Sequence, residues 1–143
     1  MIKNIRHTGI VVYDLDLSMK FYIEKLGFKV VKLMNESGSF IDNILGMKNI
    51  EVTTVKLVIQ NKQMIELLDF KTNKKNIVEK YINDIGPTHI AFTVEDIEKI
   101  YINFVNSDVE FISGPKMSAD GNAKVAFCKA PEGTFIELVE QLN

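Results

Sequence analysis

Two histidines and two glutamates recur at matching places in this sequence. His7 begins the stretch HTGIVVYDLD, and His89, 82 positions later (89 − 7), begins HIAFTVEDIE. Glu66 lies in IELLDF and Glu137 in IELVEQ, each within the tripeptide Ile-Glu-Leu. These are the only two histidines in the sequence. Because both residue types recur in the same order, the pattern predicts an internal duplication with one His and Glu pair in each half.

The chemistry open to these four residues is that of a metal centre. Two imidazole nitrogens and two carboxylate oxygens suit a divalent first-row metal, so Zn, Ni, Co, Mn or Fe(II) is favoured over calcium. We therefore predict that His7, Glu66, His89 and Glu137 bind one divalent metal ion per site. A single histidine in a strand is commonly a hydrogen-bonded core residue, and a single glutamate is commonly solvated. The prediction therefore depends on the repetition of the pair.

The strand around Glu66 raises a separate question. In QMIELLDF, alternation with period two places Met64, Glu66, Leu68 and Phe70 on one face. An ionised carboxylate among buried apolar residues is strongly unfavourable unless it is paired, hydrogen-bonded or bound to a metal. Either this face is less buried than its apolar residues indicate, or a cation lies opposite Glu66.

The first half of the chain reads as a β-α-β-β-β unit. The predicted strands are RHTGIVVYD, FKVVKLM, EVTTVKLVIQ and QMIELLDF. DLDLSMKFYIEKLG is a predicted helix that Asp14 or Asp16 can cap and Gly27 ends. SGSFIDNILGM is short enough to form only a brief helix or flap, and Asn61 and Lys62 are a plausible hairpin turn.

The second half repeats the order after a charged linker, KTNKKNIVEKYINDIG, which we expect to carry a turn or two of helix. The predicted strands are PTHIAFTV, VEFIS, AKVAFCKA and TFIELVEQ, with EDIEKIYINFVNS as the helix. The fold class is therefore predicted to be α+β with two tandem βαβββ modules. We expect one domain over residues 1–143, with module 1 at about 3–70, a linker at about 71–85 and module 2 at about 86–143.

Composition excludes several classes of function. The 143 residues carry a net charge of −2 with no basic stripe, which argues against a nucleic-acid partner. No stretch has the roughly 18–20 apolar residues that span a bilayer, and the first residues lack a signal-peptide pattern. The single cysteine, Cys128, has no partner for an internal disulfide and suits a cytoplasmic protein. Within KVAFCKA it is interpreted as a small buried hydrophobe rather than a nucleophile.

Three stretches resemble the vicinal-oxygen-chelate superfamily, which includes glyoxalase I, methylmalonyl-CoA epimerase, extradiol dioxygenases, and fosfomycin and bleomycin resistance proteins. They are HTGIVVYDLDLSMKFYIEKLGF, THIAFTVEDI and APEGTFIELVE, and the resemblance covers nearly the whole chain. It implies paired βαβββ modules whose sheets curl into a half-barrel with a metal-binding cleft. It also implies that His7, Glu66, His89 and Glu137 are the ligands and that the protein is a homodimer acting on a small molecule.

Within that superfamily, the complete His-Glu-His-Glu set is similar to bacterial-type glyoxalase I (lactoylglutathione lyase). The implied reaction is isomerisation of a hemithioacetal to a 2-hydroxyacyl thioester, with Glu137 as the base and Glu66 as its alternate. Val11 stands where bacterial glyoxalase I typically has an arginine that grips glutathione, so the thiol stays open. Alternatives are an epimerase-like enzyme, an extradiol dioxygenase, a thiol transferase, or a non-catalytic protein that binds an antibiotic or another small molecule.

Overall fold

The computed structural model describes residues 1–60 and 62–142, and the chain divides into two compact units, Met1–Ile77 and Val78–Asn143. Each unit contains one open four-stranded sheet, and helical segments connect some of its strands along the chain. The α+β class and the two tandem βαβββ modules are thereby confirmed. The division between the units falls inside the predicted linker, and the assignment of the whole chain to a single domain stays a prediction.

The elements of the first unit are β1 (Thr8–Val11), α1 (Leu15–Lys20), β2 (Lys29–Ser37), α2 (Ser39–Leu45), β3 (Glu51–Val58) and β4 (Met64–Phe70). A π-helical segment, Phe21–Lys25, continues α1. The strands are ordered β1-β4-β3-β2 in the sheet. β1 runs parallel to β4, whereas β3 is antiparallel to both β4 and β2.

Local signals in the sequence explain how the first helix begins and ends. The Asp14 side chain accepts a hydrogen bond of 3.0 Å from the Leu17 amide, so Asp14 rather than Asp16 is the cap. Gly27 follows the π-helical segment with φ +78°, a left-handed conformation that glycine adopts without strain. The brief helix predicted in SGSFIDNILGM is confirmed as α2, which also ends at a left-handed glycine, Gly46.

Most buried side chains of the first sheet lie on one face, and a smaller cluster of Ile41, Ile50 and Val52 packs with Leu68 and Phe70 of the opposite face. Along β4, Ile65 and Leu67 are buried while Met64 and Leu68 are only half-buried, as the period of two requires. Tyr22 is fully buried and meets the ring of Phe28 edge-on at 6.1 Å. Each such apolar side chain contributes about 1.5–3 kcal/mol on burial. Further buried members are Ile10, Val12, Phe21, Val55 and Leu57.

The elements of the second unit are β5 (His89–Val94), α3 (Ile97–Val105), β6 (Lys116–Met117), β7 (Ala123–Lys129) and β8 (Phe135–Gln141). The strands repeat the arrangement of the first unit in the order β5-β8-β7-β6. β5 is parallel to β8, and β7 is antiparallel to β8 and β6. Asp96 caps α3 by accepting from the Lys99 amide at 3.0 Å.

The predicted strand VEFIS is wrong. Phe111 forms only an isolated bridge to Cys128, and the strand beside β7 is the two-residue β6 further along the chain. Asp108 precedes VEFIS in a left-handed conformation (φ +61°), and Pro115 follows it without an amide hydrogen to donate. Both features interrupt a ladder of hydrogen bonds.

The predicted helical turns in the linker are also absent from residues 71–88. Asn73 has a left-handed conformation (φ +52°), which ends a helix rather than propagates it. The hairpin between β3 and β4 is confirmed, although Asn61 of the predicted Asn61-Lys62 turn lies outside the described residues. Among the residues that the structure describes, no helix is long and apolar enough to cross a membrane.

Candidate metal centre

The first unit brings His7 and Glu66 together through the register of two parallel strands. Gly9 on β1 is aligned with Glu66 on β4, so His7, two residues before Gly9, lies on the same side of the sheet. The His7 Nε2 atom is 3.8 Å from Oε1 of Glu66. The pair is therefore a product of strand pairing, not of proximity in sequence.

The second unit repeats this construction. Ala91 on β5 is aligned with Glu137 on β8, and His89 again lies two residues earlier on the same side. The His89 Nε2 atom is 3.4 Å from Oε2 of Glu137. The structure thus joins each predicted histidine to the glutamate of its own half.

The separations within both pairs fit a shared ion better than a direct hydrogen bond. N–H···O hydrogen bonds span about 2.7–3.2 Å, and the two pairs measure 3.8 and 3.4 Å. Two ligand atoms at about 2.1 Å from one metal in tetrahedral geometry are about 3.4 Å apart. Both pairs have donor types that suit a divalent ion, and the separation in the His89–Glu137 pair matches this spacing while that in the His7–Glu66 pair is 0.4 Å wider.

The second ring nitrogens of the two histidines differ in their surroundings. His89 Nδ1 lies 3.1 Å from the Thr88 hydroxyl oxygen. A histidine that binds a metal through Nε2 carries its proton on Nδ1, where Thr88 can accept it. His7 Nδ1 is buried and has no hydrogen-bond partner among residues 1–60 and 62–142. Only the second unit supplies an orienting partner for its imidazole in the part of the chain described.

No group of three or more His, Cys, Asp or Glu side chains in the described residues is placed to hold a metal ion. Each unit by itself supplies two donors. The metal-ligand roles of His7, Glu66, His89 and Glu137, and the role of Glu137 or Glu66 as a base, therefore stay predictions.

The surroundings of Glu66 explain how a carboxylate sits in an apolar strand. Its neighbours on that face, Met64, Leu68 and Phe70, are only half-buried. A cation also lies opposite: Lys56 Nζ is 3.7 Å from Oε2 of Glu66, while His7 approaches the other carboxylate oxygen. Both conditions that the sequence raised for this carboxylate therefore hold.

The sequence interpretation missed Lys56. Lys56 and Glu66 are directly opposed across the antiparallel β3–β4 pair, whose register is centred on position 61. The sequence could have indicated this pairing, because residues 56 and 66 are equally distant from position 61 and an antiparallel hairpin centred there opposes them. A hairpin centred between positions 61 and 62 would instead oppose Lys56 to Leu67, on the face away from Glu66.

The equivalent position in the second unit is apolar. Phe127 on β7 is directly opposed to Glu137 on β8, and its ring centroid lies 5.6 Å from that of His89. The two pairs thus share their donors and differ in the third side chain: an ammonium beside Glu66 and an aromatic ring beside Glu137.

Cys128 is fully buried on β7, and burial raises the pKa of its thiol to about 12. A thiol with that pKa is not ionised near neutral pH and is a poor nucleophile. The interpretation of Cys128 as a small buried hydrophobe is confirmed.

The fold agrees with what comparison with known proteins shows. The sequence profile of the Glyoxalase/Bleomycin resistance protein/Dioxygenase superfamily matches residues 4–138. The chain belongs to this superfamily, the group that the sequence resembled.

Three individual proteins resemble this chain, two in sequence and one in structure. The chain is 35% identical over 150 residues to a lactoylglutathione lyase of Schizosaccharomyces pombe, covering 96% of this chain but 47% of that protein, so it spans about half of that relative's length. It is 28% identical to a probable lactoylglutathione lyase of Synechocystis, covering 94% of this chain and 92% of that one. A glyoxalase family protein from Bacillus cereus superposes with a TM-score of 0.90 at 23% identity, over 100% of this chain and 97% of that chain, which shows the same fold.

Proposed function

We propose that the protein is a metal-dependent lyase or isomerase of the glyoxalase I type. It would convert the hemithioacetal of a 2-oxoaldehyde and a thiol into a 2-hydroxyacyl thioester. The observation that carries the proposal is the repeated pair: His7 with Glu66 and His89 with Glu137, at 3.8 and 3.4 Å. The two relatives named as lactoylglutathione lyases support the same reaction class.

The proposed ligands are the four residues of these pairs. A divalent metal ion held by them would supply Lewis-acid polarisation of adjacent substrate oxygens. The strands fix where the donors lie: His89 begins β5, and Glu137 lies within β8. With the His89 proton on Nδ1, the Thr88 hydroxyl at 3.1 Å would accept it and orient the ring, which would leave Nε2 free to bind.

Glu137 is the proposed base. Its carboxylate removes the proton from the carbon that bears sulfur and returns it to the neighbouring carbon, so no proton is lost or gained overall. Phe127 lies directly opposite Glu137, so the nearest strand neighbour brings no charge that competes for this carboxylate. Glu66 is the alternate base, and Lys56 lies 3.7 Å from its Oε2.

The proposal does not specify which thiol forms the hemithioacetal substrate. Val11 is 59% exposed and lies on the same side of β1 as His7. An exposed valine there offers no charge to a carboxylate of glutathione. This observation favours keeping CoA thioesters, with proton transfer α to the thioester carbonyl, as the second candidate substrate class.

The test is turnover after metal loading. Metal-free protein is loaded in turn with Ni, Zn, Co, Mn and Fe(II), and supplied with methylglyoxal plus glutathione, cysteine or another low-molecular-weight thiol. Formation of a 2-hydroxyacyl thioester that depends on the added metal is expected with at least one combination. Racemisation of a 2-methyl-branched acyl-CoA is measured in parallel. Absence of thioester formation with every metal and thiol would contradict the glyoxalase assignment.

A further inference from the structure

Two lysines lie near the His7–Glu66 pair on the face of the first sheet that carries Glu66, and Glu36 lies further along β2 on the same face. Lys56 is directly opposed to Glu66 on one side and to Lys32 of β2 on the other. Directly opposed residues share a face, so both lysines lie on the side that presents Glu66. Lys56 is 25% exposed at its side chain, whereas Lys32 is exposed.

The Lys56 ammonium forms an ion pair with Glu66 but does not donate a hydrogen bond to it. The separation of 3.7 Å to Oε2 exceeds the range of a hydrogen bond, and within residues 1–60 and 62–142 no hydrogen bond from Lys56 Nζ is found. Two lysines opposed across a strand pair also repel each other, which is unfavourable for folding. A half-buried ammonium with free donors, held beside a second cation, is a site for an anion.

The second unit shows that this arrangement is specific to one pair. At the position of Lys56 it has Phe127, and no lysine is in register with Glu137. The nearest lysine on β7, Lys129, already pairs with Glu110 at 3.4 Å. The second unit therefore has no cation directly opposed to Glu137, and a lysine in register with the glutamate is a feature of the first unit alone.

We infer that Lys56, flanked by Lys32, binds a carboxylate of the substrate next to the His7–Glu66 pair. This inference rests on the proposed function. It specifies the substrate class as a 2-oxoaldehyde adduct or acyl thioester whose carbon chain ends in a carboxylate, rather than one with a neutral alkyl end. Lys56 acts in binding and selection, and the proton transfer is left to the glutamates.

The test compares two product-like acids that differ only in the terminal group. Binding of 2-hydroxyglutarate and 2-hydroxypentanoate is measured by calorimetry on the wild-type protein in the presence of Ni²⁺. An extra charge-assisted contact predicts that 2-hydroxyglutarate binds at least about ten times more tightly. Lys56→Met should remove this preference, and Lys56→Arg should retain most of it.

The control is Lys20→Met, which removes the same charge from an exposed position of α1 and should leave the preference unchanged. Bound nickel is measured in each variant, and Lys56→Met should retain it, because the lysine is not a ligand. Equal binding of the two acids by wild-type protein, or a preference that survives in Lys56→Met, would overturn the inference. Loss of nickel in Lys56→Met would also overturn it, since the lysine would then serve to hold Glu66.

Because binding of the two acids is read without turnover, a protein that shows the preference but converts no hemithioacetal would refute the proposed function and leave the anion site standing.

Discussion

Glu66 and Asp69 lie three residues apart on β4, on opposite faces, and their surroundings differ accordingly. Glu66 is half-buried, with His7 and Lys56 within 4 Å of its two oxygens. Asp69 is only 3% exposed on the core face and pairs with Lys71 and with Lys74, the latter at 2.8 Å. The deeply buried carboxylate of QMIELLDF therefore makes close ion pairs, whereas the half-buried Glu66 is paired only at longer range, 3.7 Å from Lys56 and 3.8 Å from His7.

Replacement of Glu137 by glutamine tests its role as the base. Glutamine keeps the size of the side chain but has no carboxylate to accept a proton. We expect Glu137→Gln to lower turnover by about 10²–10⁴-fold while the circular dichroism spectrum stays that of the wild type. Unchanged turnover would refute the assignment of Glu137.

Glu110→Gln is the matched control for that substitution. Glu110 is exposed and pairs with Lys129 at 3.4 Å on the same unit, away from Glu137 in the strand register. An exposed ion pair contributes little to stability, so this variant should keep both turnover and fold. A comparable loss in both variants would point to a general effect of charge rather than to a base.

Cys128 should be protected from thiol reagents in the native state. Burial raises its pKa to about 12, so at pH 8 almost no thiolate is present, and the side chain is inaccessible. We expect iodoacetamide to alkylate Cys128 only after the protein is unfolded in denaturant, and mass spectrometry measures the alkylation. Rapid alkylation of folded protein would show that the thiol is exposed and reactive.

At the scale of elements, strand register explains what the sequence could and could not reveal. The His and Glu pairs were found because the duplication repeats them, and each register then places His two residues before the partner of Glu. Lys56 does not recur in the second half, so the repeat gave no signal for it. Its position depended on the β3–β4 register, in which a shift of one residue reverses the faces.

The elements that were predicted wrongly failed for a local reason. VEFIS has the apolar and β-branched composition of a strand, but composition does not show the left-handed Asp108 before it. Helical residues in the linker likewise did not form a helix, because a short polar segment without a packed apolar face gains too little to nucleate one. The first cap was predicted better: Asp14, one of the two candidates, accepts an amide hydrogen at the start of α1, and Asp96 does the same for α3.

Ion pairs from Lys71 and Lys74 to Asp69 hold the segment that follows β4 to that strand, so their contribution to stability depends on pH. Burial alone would raise the pKa of Asp69, but hydrogen bonds and charges from Lys71 and Lys74 hold it below the ordinary 3.8. Lys74 also donates to the Tyr13 carbonyl at 2.8 Å, which ties the segment to the end of β1. The lowered pKa stabilises the fold above the unfolded-state pKa, and this stabilisation is lost as the pH falls through the folded-state value.

Asp69→Asn should therefore lower the free energy of unfolding at pH 7 by about 1–3 kcal/mol. The difference from wild type should shrink below about pH 4, because wild-type Asp69 then becomes protonated as well. Urea unfolding at pH 7, 5 and 3 measures both effects. A difference that stays constant down to pH 3 would show that charge is not the cause.

At the scale of the whole molecule, we expect a homodimer, as the superfamily resemblance implies. Light scattering coupled to size exclusion should give twice the mass of the 16.3 kDa chain. The exposed apolar residues of α2 and β2, such as Phe40 at 71% and Val31 at 57%, are the kind of surface that association removes from water. A mass of one chain at micromolar concentration would refute the prediction.

His7, Glu66, His89 and Glu137 are the proposed metal ligands. The most direct test is the metal content of wild-type protein and of His7→Ala, His89→Ala, Glu66→Ala and Glu137→Ala, after loading with Ni²⁺ or Zn²⁺ and exhaustive dialysis. We expect the wild type and the Glu110→Gln control to retain a divalent ion, and each ligand variant to bind it at least about a hundredfold more weakly. Wild-type protein that retains no metal, or four variants that retain it as tightly as wild type, would contradict the claim.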